Sequence, residues 1–228
     1  MSTFLELAQK VAEKSGTVTD GQPTTVEDLT GRLKKVVDMT AEAWRDIQRS
    51  RNEWLWMRMD FSGNTSSGIA EYAPASFAVS DLARWVSGNN AIYLSDTSIG
   101  FEDEGPLRMI DWDVFVRRYK RGTHDNSRPT EYAIAPNRRI NFGPTPDKDY
   151  TIRGEYYKTI QTLAVSADIP EMPEDFHDLI VWRALILLTG HDEAVWHHSD
   201  VGVEFLIGLS RLEQDQLPEV RLSYSALA

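Results

Sequence analysis

Residues 150–217 read YTIRGEYYKTIQTLAVSADIPEMPEDFHDLIVWRALILLTGHDEAVWHHSDVGVEFLIGLSRLEQDQL. The stretch opens as a strand that ends in the aromatic pair Tyr156-Tyr157. A loop marked by Pro170 and Pro173 follows, and then two long helical patterns with Gly190 between them. Glu174 and Asp175 fall in the first turn after Pro173, where acidic groups suit the helix dipole. Between Leu179 and Leu188 only Arg183 is charged, so this helix is expected at the centre of its layer. The next helix, from about Asp192 to Gln214, puts Val195, His198, Gly202, Phe205, Leu206, Leu209 and Leu212 on one face. The pairing predicts Ile180, Ala184 and Leu187 buried against Leu206, Leu209 and Leu212.

Working outward, Thr3 and Glu6 have capping-box spacing, and Gly16 suits the end of a helix over Thr3 to Ser15. Phe4, Leu7, Ala8, Val11 and Ala12 give it an apolar face. A second helix is predicted from about Val26 to Asn52, where Leu29, Leu33, Val36, Val37, Thr40, Trp44 and Ile47 recur at three- and four-residue steps. The period changes to alternation at Trp54, in LWMRMDF, which signals a strand. Short strand patterns then continue to Lys158, interrupted by one short helix in IDWDVFVRRYKRG with Asp111 as its candidate cap. From Pro218 the sequence PEVRLSYSALA has no helical period and reads as extended.

These elements predict an α+β fold: an antiparallel four-helix bundle with a β-rich insertion and an extended C-terminal arm. The expected domains are a helical bundle of residues 1–53 and 165–217, a β-rich insert of 54–164, and the arm, 218–228.

Composition narrows the function. The chain has 228 residues, 41% of them hydrophobic, enough for a sizeable core. Its formal net charge is −11, which disfavours free association with DNA through phosphate contacts. There are no cysteines, so thiolate metal sites and cysteine nucleophiles are excluded. The start, MSTFLELAQKVAEKSG, lacks the basic and apolar pattern of a secretion signal. Leu179 to Leu188 is too short to span a bilayer, and no membrane partner is expected.

Candidate chemistry is sparse. His191, His197 and His198 stand near Asp192, Glu193 and Asp200, but only Glu193 and His197 have i, i+4 spacing, so no metal site is predicted. The carboxylates Glu102-Asp103-Glu104, Asp111 with Asp113, and Glu171 with Glu174 and Asp175 sit in loops and helix starts. No cofactor is expected. The basic run Arg117, Arg118, Tyr119, Lys120, Arg121, with Trp112 and Phe115 nearby, has the texture of a nucleic-acid patch, as does Arg138-Arg139. These six cations are candidate contacts to a neighbouring tail protein or to passing DNA. In the arm, Pro218, Val220, Leu222, Tyr224 and Leu227 are candidate anchors.

The order of helix pair, β insert, helix pair and extended tail resembles the head-to-tail adaptor proteins of tailed bacteriophages, the tail tubular A and portal-adaptor family. The residues carrying the likeness are the N-terminal helices followed by RNEWLWMRMDF, the turn and strand FGPTPDKDYTIRGEYYKT, and IPEMPEDFHDLIVWRAL. The resemblance implies a structural, non-enzymatic virion protein at the head-tail interface, made in the host bacterial cytoplasm. It implies a homo-oligomeric ring, usually twelvefold, docked on the portal protein. Such a ring extends the channel for double-stranded DNA and seats the tail, nozzle or stopper protein. The arm would be its portal-binding segment. Two alternatives stay open: a peptidoglycan-degrading virion hydrolase, and another neck or tail-completion (stopper) protein.

Overall fold

The computed structural model describes residues 1–17, 21–189 and 198–218, with the side chains of His198 and Ser199 left aside. It divides into two compact units. The first comprises Met1–Trp56 with the chain from Ile160 onward, and the second Met57–Thr159.

The first unit is helical. α1 spans Phe4–Lys14. It begins as predicted, with Thr3 Oγ1 accepting from the Glu6 amide and Glu6 reaching back to the Thr3 amide. α2 spans Gly31–Ser50, shorter than its periodicity suggests. Asp28 and Gly31 have φ of 53° and 62°, in the left-handed region, so the backbone cannot run helically through them. The preceding segment is instead tied down by Gln9 donating to the Pro23 carbonyl and by the Val26 amide donating to Ser166. α4 spans Asp178–Thr189 and α5 spans His198–Gln216; α3 lies in the second unit.

The predicted four-helix bundle does not form. α1, α2 and α4 pack on one another, whereas α5 rests chiefly on α4, with Glu213 paired at 2.7 Å to Arg51 just beyond the end of α2. The architecture is mixed α+β, with five helices and two sheets among the described residues. The physical reason lies in α5. Its apolar residues are split between two sides, so it has no single face to close a bundle with. Leu212 is fully buried, but Leu206, expected in the same core, is 65% exposed. Ile180 and Ala184 are buried as expected, while Leu187 is half-buried. Gly208 sets the α5–α4 approach: a Cβ there would come within 2.7 Å of Leu179 Cδ2 and 3.0 Å of Trp182.

A polar lock holds the loop between Ile160 and Met172 against α2. The Gln161 amide donates to Gln48 Oε1 at 2.7 Å, and Gln48 Nε2 donates to the Gln161 carbonyl at 2.9 Å. Gln161 Oε1 accepts from the Trp44 indole and from the Glu171 amide. Nearby, Trp54 donates to the Ile47 and Gln48 carbonyls and stacks on Trp56 at 4.5 Å. Trp54 thereby occupies acceptors that the end of α2 leaves open.

The second unit is a pair of sheets. The strands are β1 (Arg58–Asn64), β2 (Glu71–Tyr72), β3 (Leu82–Trp85), β4 (Ile92–Asp96), β5 (Gly105–Pro106), β6 (Arg108–Met109), β7 (Glu131–Ile134), β8 (Ile140–Gly143) and β9 (Tyr150–Lys158). One sheet runs β1-β9-β4-β5, with β3 also on β9; the other runs β2-β8-β7-β6. All pairs are antiparallel except β6 with β7. Alternation sends Phe61, Ile92, Leu94, Ile152 and Trp85 from the first sheet against Tyr72, Tyr132, Ile140 and Phe142 from the second. The strand pattern read from Leu55 starts late, because Leu55–Met57 form a 3-10 turn before β1. No helix among the described residues is long and apolar enough to cross a membrane.

Candidate interaction surface

The predicted basic run lies on α3, which spans Trp112–Tyr119 and crosses the outer face of the second sheet. Successive residues of β8 point to opposite faces, so Ile140 and Phe142 enter the core while Asn141 and Gly143 face α3. Phe115 and Tyr119 pack there with Ala133. Only glycine fits at 143: an added Cβ would lie 2.5 Å from the Tyr119 ring. The helix is thus seated directly on the sheet backbone, and its orientation decides where each arginine goes.

Two glutamates project from the sheet to meet those cations. Glu131, on β7, has a side chain only 10% exposed. It accepts from Arg118 at 2.6 Å and from the Tyr119 hydroxyl at 2.9 Å, with Arg108 at 3.9 Å. Glu71, on β2, accepts from Lys120 at 3.2 Å and from Arg139 at 3.1 Å. Lys120 also lies 4.7 Å from the centre of the Trp112 ring. Arg138 sits in the β7–β8 turn with φ of 64°, donates to the Leu82 carbonyl, and offers its own carbonyl to the Trp85 indole at 2.7 Å.

The six expected cations therefore divide. Arg118, Lys120, Arg138 and Arg139 are engaged inside the unit. Arg117 and Arg121 are exposed, and their guanidiniums make no ion pair among the described residues; the Arg121 carbonyl meets the His124 ring at 2.7 Å. Four of the positive charges offered as contacts to a tail neighbour or to passing DNA are engaged within the unit, and the aromatic residues beside them are covered by packing. Two free guanidiniums at one end of α3 suit a contact with an acidic surface better than a track along a DNA backbone, which needs many phosphate contacts.

The acidic candidates also resolve into structural roles. Asp103 accepts from Arg128 at 2.8 Å and from the Asp96 amide at 2.9 Å. Asp96 binds Lys148 and turns the next loop through the Ser98 amide and hydroxyl. Glu104 pairs with Arg153, and Glu174 with the N-terminal amine. No group of three or more possible metal ligands gathers among the described residues. His191 and His197 lie outside the described residues, as do Val220, Leu222, Tyr224 and Leu227 of the arm; Pro218 is the last residue described. One feature of this unit gave no sequence signal. Phe101 stands largely exposed, its ring held 3.6 Å from the Arg153 guanidinium.

The ion pairs shift the carboxylates in one direction. The Lys120 hydrogen bond, joined by Arg139, holds Glu71 below its ordinary value. Burial acts to raise Glu131, but Arg118 and Tyr119 outweigh it and leave it low. Lys148 and Ser98 hold Asp96 well below the carboxylate range, and Arg128 holds Asp103 low. All four bind a proton less tightly when folded than when unfolded. Their stabilisation is therefore complete above about pH 5 and is lost as pH falls from the usual carboxylate value near 4 down through their lowered folded values. Urea midpoints should be flat from pH 7 to 5 and drop below that. The double variant Glu71→Gln, Glu131→Gln should lose less over the same descent. An equal acid drop in that variant would show these pairs contribute nothing.

Comparison with known proteins gives one match: the family model described as SU10 adaptor protein aligns with residues 2–197. No curated protein matches the chain.

Proposed function

The chain belongs to the SU10 adaptor protein family, and on that premise we propose how this bacteriophage structural protein works as a head-to-tail adaptor. Copies form a ring, twelvefold by the resemblance, that docks on the portal protein, extends the DNA channel and seats the next tail component. The observation that carries this reading is the family match over residues 2–197. The two-unit organisation suits it: a helical unit to repeat around a ring, and a β unit whose loops are free to meet a neighbour. Double-stranded DNA passes without sequence-specific contact, and the protein has no catalytic role.

Electron microscopy of the purified chain mixed with portal protein tests the assembly. A ring on the portal is the expected image; a chain that never associates with portal would end this reading. A cell-wall turbidity assay separates the hydrolase alternative, with no clearing expected.

Within this proposal the arm binds portal through Pro218, Val220, Leu222, Tyr224 and Leu227, and Arg117 and Arg121 meet the protein below. Several apolar anchors acting together offset the entropy of ordering an extended segment. Deleting residues 218–228 should weaken portal co-sedimentation at least about tenfold, or ~1.4 kcal/mol. A truncated chain that folds and binds portal as well as the full chain would remove the arm from the interface.

A further inference from the structure

The helical unit carries two largely apolar surfaces that nothing among the described residues covers. The first is the outer side of α5. At 100° per residue, Val203, Leu206, Ile207, Ser210 and Gln214 share one arc, and none is charged. Val203 is 53% exposed, Leu206 65% and Ile207 45%. The opposite side of the helix, through Gly208 and Leu212, is already used on α4.

The second surface is the ledge of residues 162–169. Ala164, Val165, Ala167 and Ile169 are exposed there, Val165 at 47% and Ile169 at 39%. The ledge is held rigidly. Its one acidic group, Asp168, is turned inward to accept from the Ala164 and Val165 amides at 2.6 and 2.9 Å. Its backbone accepts from the Phe4 and Leu5 amides, and Gln161 donates to the Ile169 carbonyl. The ledge is thus bonded to the start of α1 and, through Gln161 and Gln48, to α2, whereas α5 rests on α4. The two surfaces are distinct patches of one unit.

We infer that these surfaces are the two halves of one contact between copies of this chain, the α5 face of one copy seated on the 162–169 ledge of the next. Charge identifies the occupant. Each copy carries a formal −11, so identical chains repel wherever acidic surface meets acidic surface. Two patches that between them hold one carboxylate, Asp168, already engaged by two amides, are where they can approach closely. A contact between two different patches is head-to-tail, and a head-to-tail contact with a suitable rotation closes into a ring. The arc from Val203 to Gln214 is about 18 Å long and no wider than about 10 Å, well below the ~800 Å² per partner of a stable free dimer. The contact therefore works between copies already gathered on a common platform. This inference rests on the ring reading and names the surfaces that build it.

The absence of cysteine makes the test clean. Leu206→Cys, Val165→Cys and the double variant are mixed with portal protein, treated with a short bis-maleimide, and run on a denaturing gel. Both positions are exposed, and unchanged thermal midpoints check the fold. The double variant should give a ladder extending beyond dimers, and each single variant at least tenfold less cross-linked product. Dimers from Leu206→Cys alone that stop at two would mean a symmetric α5–α5 contact and overturn the inference. So would the absence of a ladder while mass measurement shows the double variant assembled on portal; the ring reading would survive that result. If the unsubstituted chain gathers no copies on portal, the ring reading itself fails and the inference with it.

Discussion

Trp44→Ala should cost the helical unit about 3–5 kcal/mol, the range for removing a buried tryptophan. Trp44 is fully buried on the α2 face that meets the rest of the unit, and its ring lies 6.3 Å from that of Trp56. Its indole donates to Gln161 Oε1 at 3.1 Å, the same oxygen that accepts the Glu171 amide. Truncation removes the ring volume and also loosens Gln161, the residue through which the 160–172 loop is attached to α2. Trp44→Phe keeps most of the volume and loses the donor, so about 1–2 kcal/mol is expected. Chemical denaturation of the three proteins measures both steps. A Trp44→Ala midpoint within about 1 kcal/mol of the parent would show that the cavity collapses without penalty and that the lock is incidental.

Trp44 and the Gln161 lock also mark the line between what the sequence discloses and what it hides. Trp44 and Ile47 stand at helical steps with Val36, Val37 and Thr40, so periodicity alone places them inside. The Thr3–Glu6 cap is equally legible, because both partners lie within one turn. Gln48 and Gln161 are 113 positions apart, and a glutamine in a loop gives no sign that its amide will close a buried ring of hydrogen bonds. The internal partners of the basic surface are hidden for the same reason. Arg117 to Arg121 looks like five neighbouring residues free to bind something. Glu71 and Glu131, which neutralise much of it, come from separate strands and are brought beneath α3 only by the sheet order β2-β8-β7.

The α5 error has another origin. Leu206, Leu209 and Leu212 recur at helical steps, and a one-face reading puts all three in the same core. Adding Val203 and Ile207 widens the apolar surface until it has two sides, and only one of them can meet α4. A helix with two apolar sides predicts a second contact as strongly as a first. Sequence periodicity cannot say whether that contact lies within the chain or beyond it.

Trp85→Ala is expected to cost the β unit about 3–5 kcal/mol and to release the turn that presents Arg138 and Arg139. Trp85 closes β3 and is 3% exposed, with Phe61 at 4.7 Å, Phe77 at 6.2 Å and Tyr156 at 6.3 Å in edge or tilted arrangements. Its indole reaches across to the Arg138 carbonyl at 2.7 Å. Arg138 holds a left-handed conformation, which a non-glycine residue adopts at some cost and keeps only when its surroundings enforce it. The indole bond is one such restraint; the Arg138 amide bond to Ala135, the Ala135 amide bond to Arg139 and the Arg138 guanidinium bond to the Leu82 carbonyl are others. Trp85→Phe separates the two effects. It keeps an aromatic ring in the core and withdraws only the donor, so about 1 kcal/mol of stability should go. Amide exchange at Ala135 and Arg138 should quicken by more than that at Tyr132 or Phe142 in the adjoining strands. If exchange rises evenly across the sheet, the indole is a core residue and nothing more. If it rises at the turn, the same side chain that fills the core also sets how Arg139 meets Glu71, and the charge pattern of the surface is decided from inside.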